Sequence, residues 1–130
     1  MIVGVVDSTV IIHMLRSNPL AIAWANALTT RLNLVSITWL EVMLGAPGKI
    51  GQVRAKTVMS MFSLTLLTGD DQEWAMEQME RHRLSQGVGI NDCLIAAVCY
   101  RLNVPIYTDN QKDFLKLLPT HLVIKPYQPM

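Results

Sequence analysis

Four acidic residues stand where an apolar run of the sequence ends or begins. Asp7 directly follows Ile2 to Val6, and Glu41 lies shortly after Leu34 to Ile37. Asp92, beside Asn91, opens the unbroken apolar stretch Cys93 to Tyr100, and Asp109 follows Val104 to Tyr107 between Thr108 and Asn110. Like charges at about 4 Å repel by about 4 kcal/mol at an effective dielectric near 20. A group of carboxylates therefore needs protonation, dispersal or a cation. Hard oxygen donors without His or Cys beside them suit Mg²⁺ or Mn²⁺. One or two such ions activate water and neutralise charge on a phosphodiester.

Each acid also has a purely structural account. Asp7 and Asp92 stand where helices begin, positions at which Asp and Asn satisfy orphan amides and suit the helix dipole. Thr38-Trp39-Leu40-Glu41 is a capping-box pattern, with Glu41 reaching back to the Thr38 amide. Asp109-Asn110 opens a last helix in the same way. The spacing leaves both accounts open at every position, but the recurrence of the pattern favours a shared site.

The elements that must position these residues alternate. Short β-branched or apolar runs at Ile2–Val6, Leu34–Ile37, Ser63–Thr68, Val104–Tyr107 and Leu122–Ile124 read as strands, the last as an edge. Helical stretches follow at Val10–Arg16, about Leu20–Arg31 with Pro19 at its start, Thr38–Leu44, Gly51–Met61, Asp70 to about Ser85 and the buried helix from Asn91 to Asn103. A last helix carries Phe114, Leu117 and Leu118. This order predicts an α/β/α sandwich around a mostly parallel sheet. In such a sheet strand C-termini and the following helix N-termini share one edge, where ligands bind. That edge would collect at least three of the four acids.

The 130 residues fit one domain, 1–130, with a loosely ordered tail at 126–130 marked by Pro126 and Pro129. Hydrophobic residues make up 51% and charged residues 16%, which excludes a disordered chain. A net charge of +1 supplies no broad basic field, which weakens a nucleic-acid reading without removing it. Arg16, Lys49, Arg54, Lys56 and Lys112 remain candidates for backbone contacts with RNA. No apolar run reaches the roughly 20 residues a membrane span needs, and Met1 to Asp7 lacks the basic region of a secretory signal, so a cytoplasmic protein is expected. Cys93 and Cys99 match no ligand or redox spacing and read as buried small hydrophobes. His13, His82 and His121 are dispersed and read as structural or surface residues.

The order of the motifs resembles the PIN-domain nucleases, in particular the small toxin ribonucleases of VapC type. The resemblance rests on Val6-Asp7-Ser8-Thr9-Val10-Ile11-Ile12, Ser36-Ile37-Thr38-Trp39-Leu40-Glu41-Val42, Asn91-Asp92-Cys93-Leu94-Ile95-Ala96-Ala97 and Ile106-Tyr107-Thr108-Asp109-Asn110-Gln111-Lys112-Asp113-Phe114. It implies a PIN-like α/β/α fold and a metal-dependent endoribonuclease acting on RNA, with Asp7, Glu41 and Asp92 as metal-binding acids. It also implies a homodimer and a tightly bound antitoxin protein. Two positions depart from the pattern. Thr9 stands where Ser or Asn is common, keeping a hydroxyl. Asn110 stands where a fourth acid is common, with Asp109 and Asp113 nearby to take its place.

Three readings compete. The leading one is an Mg²⁺- or Mn²⁺-dependent endoribonuclease served by Asp7, Glu41 and Asp92, with Thr108, Asp109 and Asn110 as further site candidates. The second is a catalytically weak PIN-like module that binds RNA or protein. The third is a plain α/β scaffold whose acids are helix caps.

Overall fold

Val5 and Val6 are fully buried, and successive residues of a strand face opposite sides of the sheet. Val5 joins one apolar cluster and Val6 another, so this two-residue strand divides the interior into two layers of packing. The computed structural model describes residues 1–128. In chain order the elements are β1 (Val5–Val6), α1 (Ser8–Leu15), α2 (Pro19–Asn26), β2 (Asn33–Val35), α3 (Ser36–Gly45), α4 (Gly48–Met59), β3 (Ser63–Thr65), α5 (Gly69–Gln86), α6 (Ile90–Leu102), β4 (Ile106–Tyr107), α7 (Gln111–Phe114), a 3₁₀ turn (Thr120–Leu122) and β5 (Val123–Ile124).

The sheet has five strands in the order β3-β2-β1-β4-β5, and every pairing is parallel. From β1 the chain builds outward through β2 and β3, then crosses to the other side for β4 and β5. The β1–β4 seam is therefore the switch point of the sheet, where a crevice opens beyond the strand C-termini. One layer packs α5, α6 and α7 against the sheet through residues such as Ile95, Val98 and Phe114. The other packs α1, α2, α3 and α4 through Ile11, Ala21, Val42 and Ala55. The expected α/β/α sandwich is the fold.

Several boundaries differ from the sequence reading, each for a local reason. β2 stops at Val35, opposite Thr65, and Ile37 belongs to α3. The Thr38–Glu41 capping box does not form: α3 is capped at Val35, so Glu41 sits more than a turn inside the helix, out of reach of the orphan amides. The capping box is made instead by Thr68 and Asp71 at the head of α5. α2 ends at Asn26, well short of Arg31, and α4 starts at Gly48, whose φ of 64° is the left-handed region that glycine tolerates. The final helix is a single turn. Within the stretch 126–130, Tyr127 is anchored: its hydroxyl lies 2.7 Å from Nδ1 of His13 and its ring packs on Trp24. Residues 129 and 130, including Pro129, lie outside the described residues. Among the described residues no helix is long and apolar enough to cross a membrane.

Candidate active site

Asp7 leaves β1 at the switch point and is 3% exposed. Its Oδ2 accepts the Thr108 hydroxyl at 2.7 Å and the Thr9 hydroxyl at 3.0 Å. Both threonines are held in turn. The Thr9 oxygen accepts the Asp109 amide at 3.1 Å, and the Thr108 oxygen accepts the Asn110 amide at 2.8 Å. The seam between β1 and β4 thus ends in a polar clamp on one carboxylate oxygen, which fixes the rotamer of Asp7. Asp7 is at the N-cap of α1 yet makes no capping bond with its side chain. Burial pushes its carboxyl up, partly offset by the two hydroxyls.

Glu41 and Asp92 reach the same crevice from α3 and α6. Asp92 lies in the first turn of α6, which has no side-chain cap, so the capping account fails here as it does for Glu41. Burial raises both carboxyls. The charge of Asp7 raises both further, and Asp113 and Glu41 add to the effect on Asp92. Asp92 is pushed up to about 6, with Lys116 partly opposing the rise. Glu41 is eased by the neighbouring Asn91 amide. One of its oxygens, Oε1, is buried without a hydrogen-bond partner. Asp7, Glu41, Asp92 and Asp113 therefore form one electrostatic group.

Asp109, the other sequence candidate at this edge, turns away from that group. Its carboxylate approaches Lys125 at 3.6 Å and His13 at 3.8 Å. What Asp109 gives the site is its backbone amide, on Thr9. Asn110 donates from its side chain to Asp113 at 2.8 Å, and Lys116 holds the other oxygen of Asp113 at 3.1 Å. Asp113, one helical turn beyond Asn110, is the acid at this end whose charge raises Asp92. Neither the contact of Lys116 with Gln86 nor the hold that Arg83 exerts on the loop before α6 was legible in the sequence, because both act through main-chain carbonyls. Lys116 donates to Gln86 O at 2.9 Å, and Arg83 Nη1 donates to Gly87 O and Val88 O at 3.2 and 2.9 Å.

Two clefts meet at Glu41. One, about 440 Å³, is walled by apolar residues of α1, α3 and α4, with Arg16 and Arg54 at its margin. The other, about 620 Å³, is lined by Glu41, Asn91, Asp92, Ile90 and Arg83 among others. Among the described residues, no three Asp, Glu, His or Cys side chains converge as a closed ligand set. The donors nevertheless fit a hard divalent ion of the Mg²⁺ type, which keeps several waters and takes one or two carboxylates at a time. The unpartnered oxygen of Glu41 and the mutual repulsion of the acids favour a cation there. Cys93 and Cys99 are free and buried, and burial together with nearby carboxylates pushes both thiols up, Cys99 to about 12. They are inert core residues.

An all-parallel α/β/α sheet with a carboxylate group at its switch point defines the class of the molecule. The chain belongs to the PIN domain family, whose model matches residues 4–117. It is similar to a protein named Ribonuclease VapC from Rickettsia bellii, 28% identical over 133 residues that span 94% of this chain and 96% of that one. Its fold is shared with a toxin–antitoxin complex from Klebsiella pneumoniae (TM-score 0.79, 22% identity, covering 97% of this chain and 99% of that one). It is shared also with FitAcB from Neisseria gonorrhoeae (TM-score 0.75, 20% identity, 95% and 97% covered). VapBC2 from Rickettsia felis, bound to a promoter DNA fragment, superposes with a TM-score of 0.74 at 16% identity, with 95% and 98% covered.

Proposed function

We propose that this chain is a divalent-metal-dependent endoribonuclease and the toxin of a toxin–antitoxin pair. The observation that carries the reading is the placing of buried Asp7 at the β1–β4 switch point while Glu41 and Asp92 line one cleft, with the charge of Asp7 acting on both. Family membership and the name of the Rickettsia bellii relative support it.

Mg²⁺ or Mn²⁺, held by Asp7, Glu41 and Asp92, would supply an activated water and offset charge on the phosphodiester. The chain's own residues prepare that site. Thr9 and Thr108 keep one oxygen of Asp7 engaged, and the Ser8 hydroxyl lies 3.5 Å from the other. Partial burial reduces the screening of the group by bulk water, which strengthens its attraction for a cation. Asn110 and Lys116 fix Asp113 beside Asp92. The reading of a weak binding module rests on Asn110 in the place of an acid and on the nearly neutral charge; the carboxylate of Asp113 near that end supports the active reading against the first of these.

An antitoxin segment is the proposed protein partner, in keeping with the complexes to which the fold is similar, and the apolar cleft beside Glu41 suits it. A homodimer and a cytoplasmic setting complete the proposal. Light scattering at micromolar concentration tests the dimer. The decisive experiment incubates the protein with structured and unstructured RNAs in Mg²⁺, Mn²⁺ or chelator, with Asp92→Asn as control. Cleavage that needs metal and vanishes in the folded variant is expected. RNA binding that survives chelation without any cleavage would favour the binding module.

A further inference from the structure

Arg83 occupies an unusual place for a surface cation. It lines the same cleft as Glu41, Asn91 and Asp92, and no other Lys or Arg lines that cleft. Its Nη1 is fixed by the carbonyls of Gly87 and Val88. Among the described residues no carboxylate pairs with it, as none pairs with Arg16 or Arg54; what sets Arg83 apart is that it lines the cleft of Glu41 and Asp92. A guanidinium has five N–H donors in a rigid fork. Two carbonyls on one nitrogen leave the other donors for an anion.

The bland account is that Arg83 closes the C-terminus of α5, where cations suit the helix dipole. That account explains the two carbonyl contacts. It does not explain an unneutralised guanidinium beside an acid-lined cleft. An acid group that takes a divalent ion makes its surroundings attractive to phosphate, and a fixed cation across the cleft supplies a second anchor for the backbone.

We propose that Arg83 is a substrate-binding residue that holds a non-bridging oxygen of an RNA phosphate next to the scissile one, placing the strand in the cleft between α5 and Asp92. The proposal rests on the ribonuclease reading. It also accounts for how a chain of net charge +1 would hold RNA: by a local cation at the site, without a broad basic surface.

The test is steady-state cleavage of a fluorescent single-stranded RNA in Mn²⁺ across a series of NaCl concentrations, for wild type, R83A, R83Q and R83K. Rates are normalised to folded protein by circular dichroism. R83A and R83Q are expected to raise KM about tenfold, as loss of a charge-assisted hydrogen bond does, with kcat near wild type because the contact is uniform through the reaction. The slope of log(kcat/KM) against log[NaCl] should flatten by about 0.7, the value of one single-strand phosphate contact. R83K, which keeps the charge and loses the fork, should keep the slope and recover part of the KM. If R83A does not fold, R83Q against R83K gives the same contrast. A wild type that cleaves while R83A and R83Q keep its KM and slope overturns the proposal, whatever their melting temperatures. A wild type that neither binds nor cleaves RNA overturns the ribonuclease reading, and this proposal with it.

Discussion

The Thr108 hydroxyl donates to Oδ2 of Asp7 at 2.7 Å, joining residues 101 apart in sequence across the β1–β4 seam. Both groups are buried, so the bond is shielded from water, and it is one of two that hold the same oxygen. Thr108→Val removes the donor and also strips Asn110 of the acceptor for its amide. The expected cost is about 1–2 kcal/mol in urea unfolding, with a tenfold or greater fall in metal affinity, since partners that orient a ligand typically matter by that much. Thr108→Ser should restore both quantities, and a double-mutant cycle with Thr9→Val should show coupling because the two hydroxyls share one oxygen.

Asp92 should make the metal-free protein less stable as pH rises. Its carboxyl is raised from 3.8 to about 6, so between those values the folded state holds a proton that the unfolded state has released. Stability contributed by this group is full below about pH 4 and is lost as pH climbs through 6. Because Asp92 is only partly buried, screening limits the effect to about 1 kcal/mol. Asp92→Asn should therefore raise Tm at pH 7.5 in chelator by a few degrees and flatten the profile between pH 4 and 7, while cutting cleavage by more than about a hundredfold. A loss of stability at pH 7.5 would count against the mutual repulsion of the acids.

Asp113 and Asp109 should separate cleanly. Asp113→Asn removes a charge that raises Asp92, so the Asp92 titration should move down, and the variant should bind divalent ions more weakly. Asp109→Asn should leave the Asp92 titration in place and alter the packing around His13 and Tyr127 instead. NMR titration of the carboxyl carbons in chelator reads both.

Asp71 offers a control remote from the cleft. It closes the capping box with Thr68 and receives Arg101 at 2.7 and 3.1 Å while fully buried. Arg101 and the Thr68 hydrogen bonds hold its carboxyl below the usual range despite burial. Its stabilisation is present above the unfolded value of 3.8 and is lost as pH falls through the lower folded value. Asp71→Ala should cost roughly 2–4 kcal/mol at pH 7, with cleavage per folded molecule unchanged.

The sequence made the alternation of strands and helices legible, because short β-branched runs and long apolar helices differ in length and period. It also placed Asp7 at a strand end and Asp92 at a helix start. What it misread are boundaries and partners. Thr38 to Glu41 has the residues of a capping box, but β2 ends before it and leaves the helix already under way. Thr38 ends up buried, with its hydroxyl unpartnered. The identity of the fourth acid turned on side-chain direction. Asp109 and Asp113 are equivalent in a motif, yet only Asp113 is among the charges that raise Asp92, while Asp109 approaches Lys125 and His13. The Tyr127 anchor was invisible because it joins residues 114 apart, with no periodic signal at either end.

The middle position of β1 sets an order of events during synthesis. Asp7 leaves the ribosome long before β4 and Thr108 do, so for most of translation the first strand has β2 on one flank and nothing on the other. Until β4 docks, Asp7 lacks its clamp and α6 lacks the sheet edge that brings Asp92 to it. A chain that stops before β4 is made therefore lacks both the clamp on Asp7 and the strand beside which α6 packs.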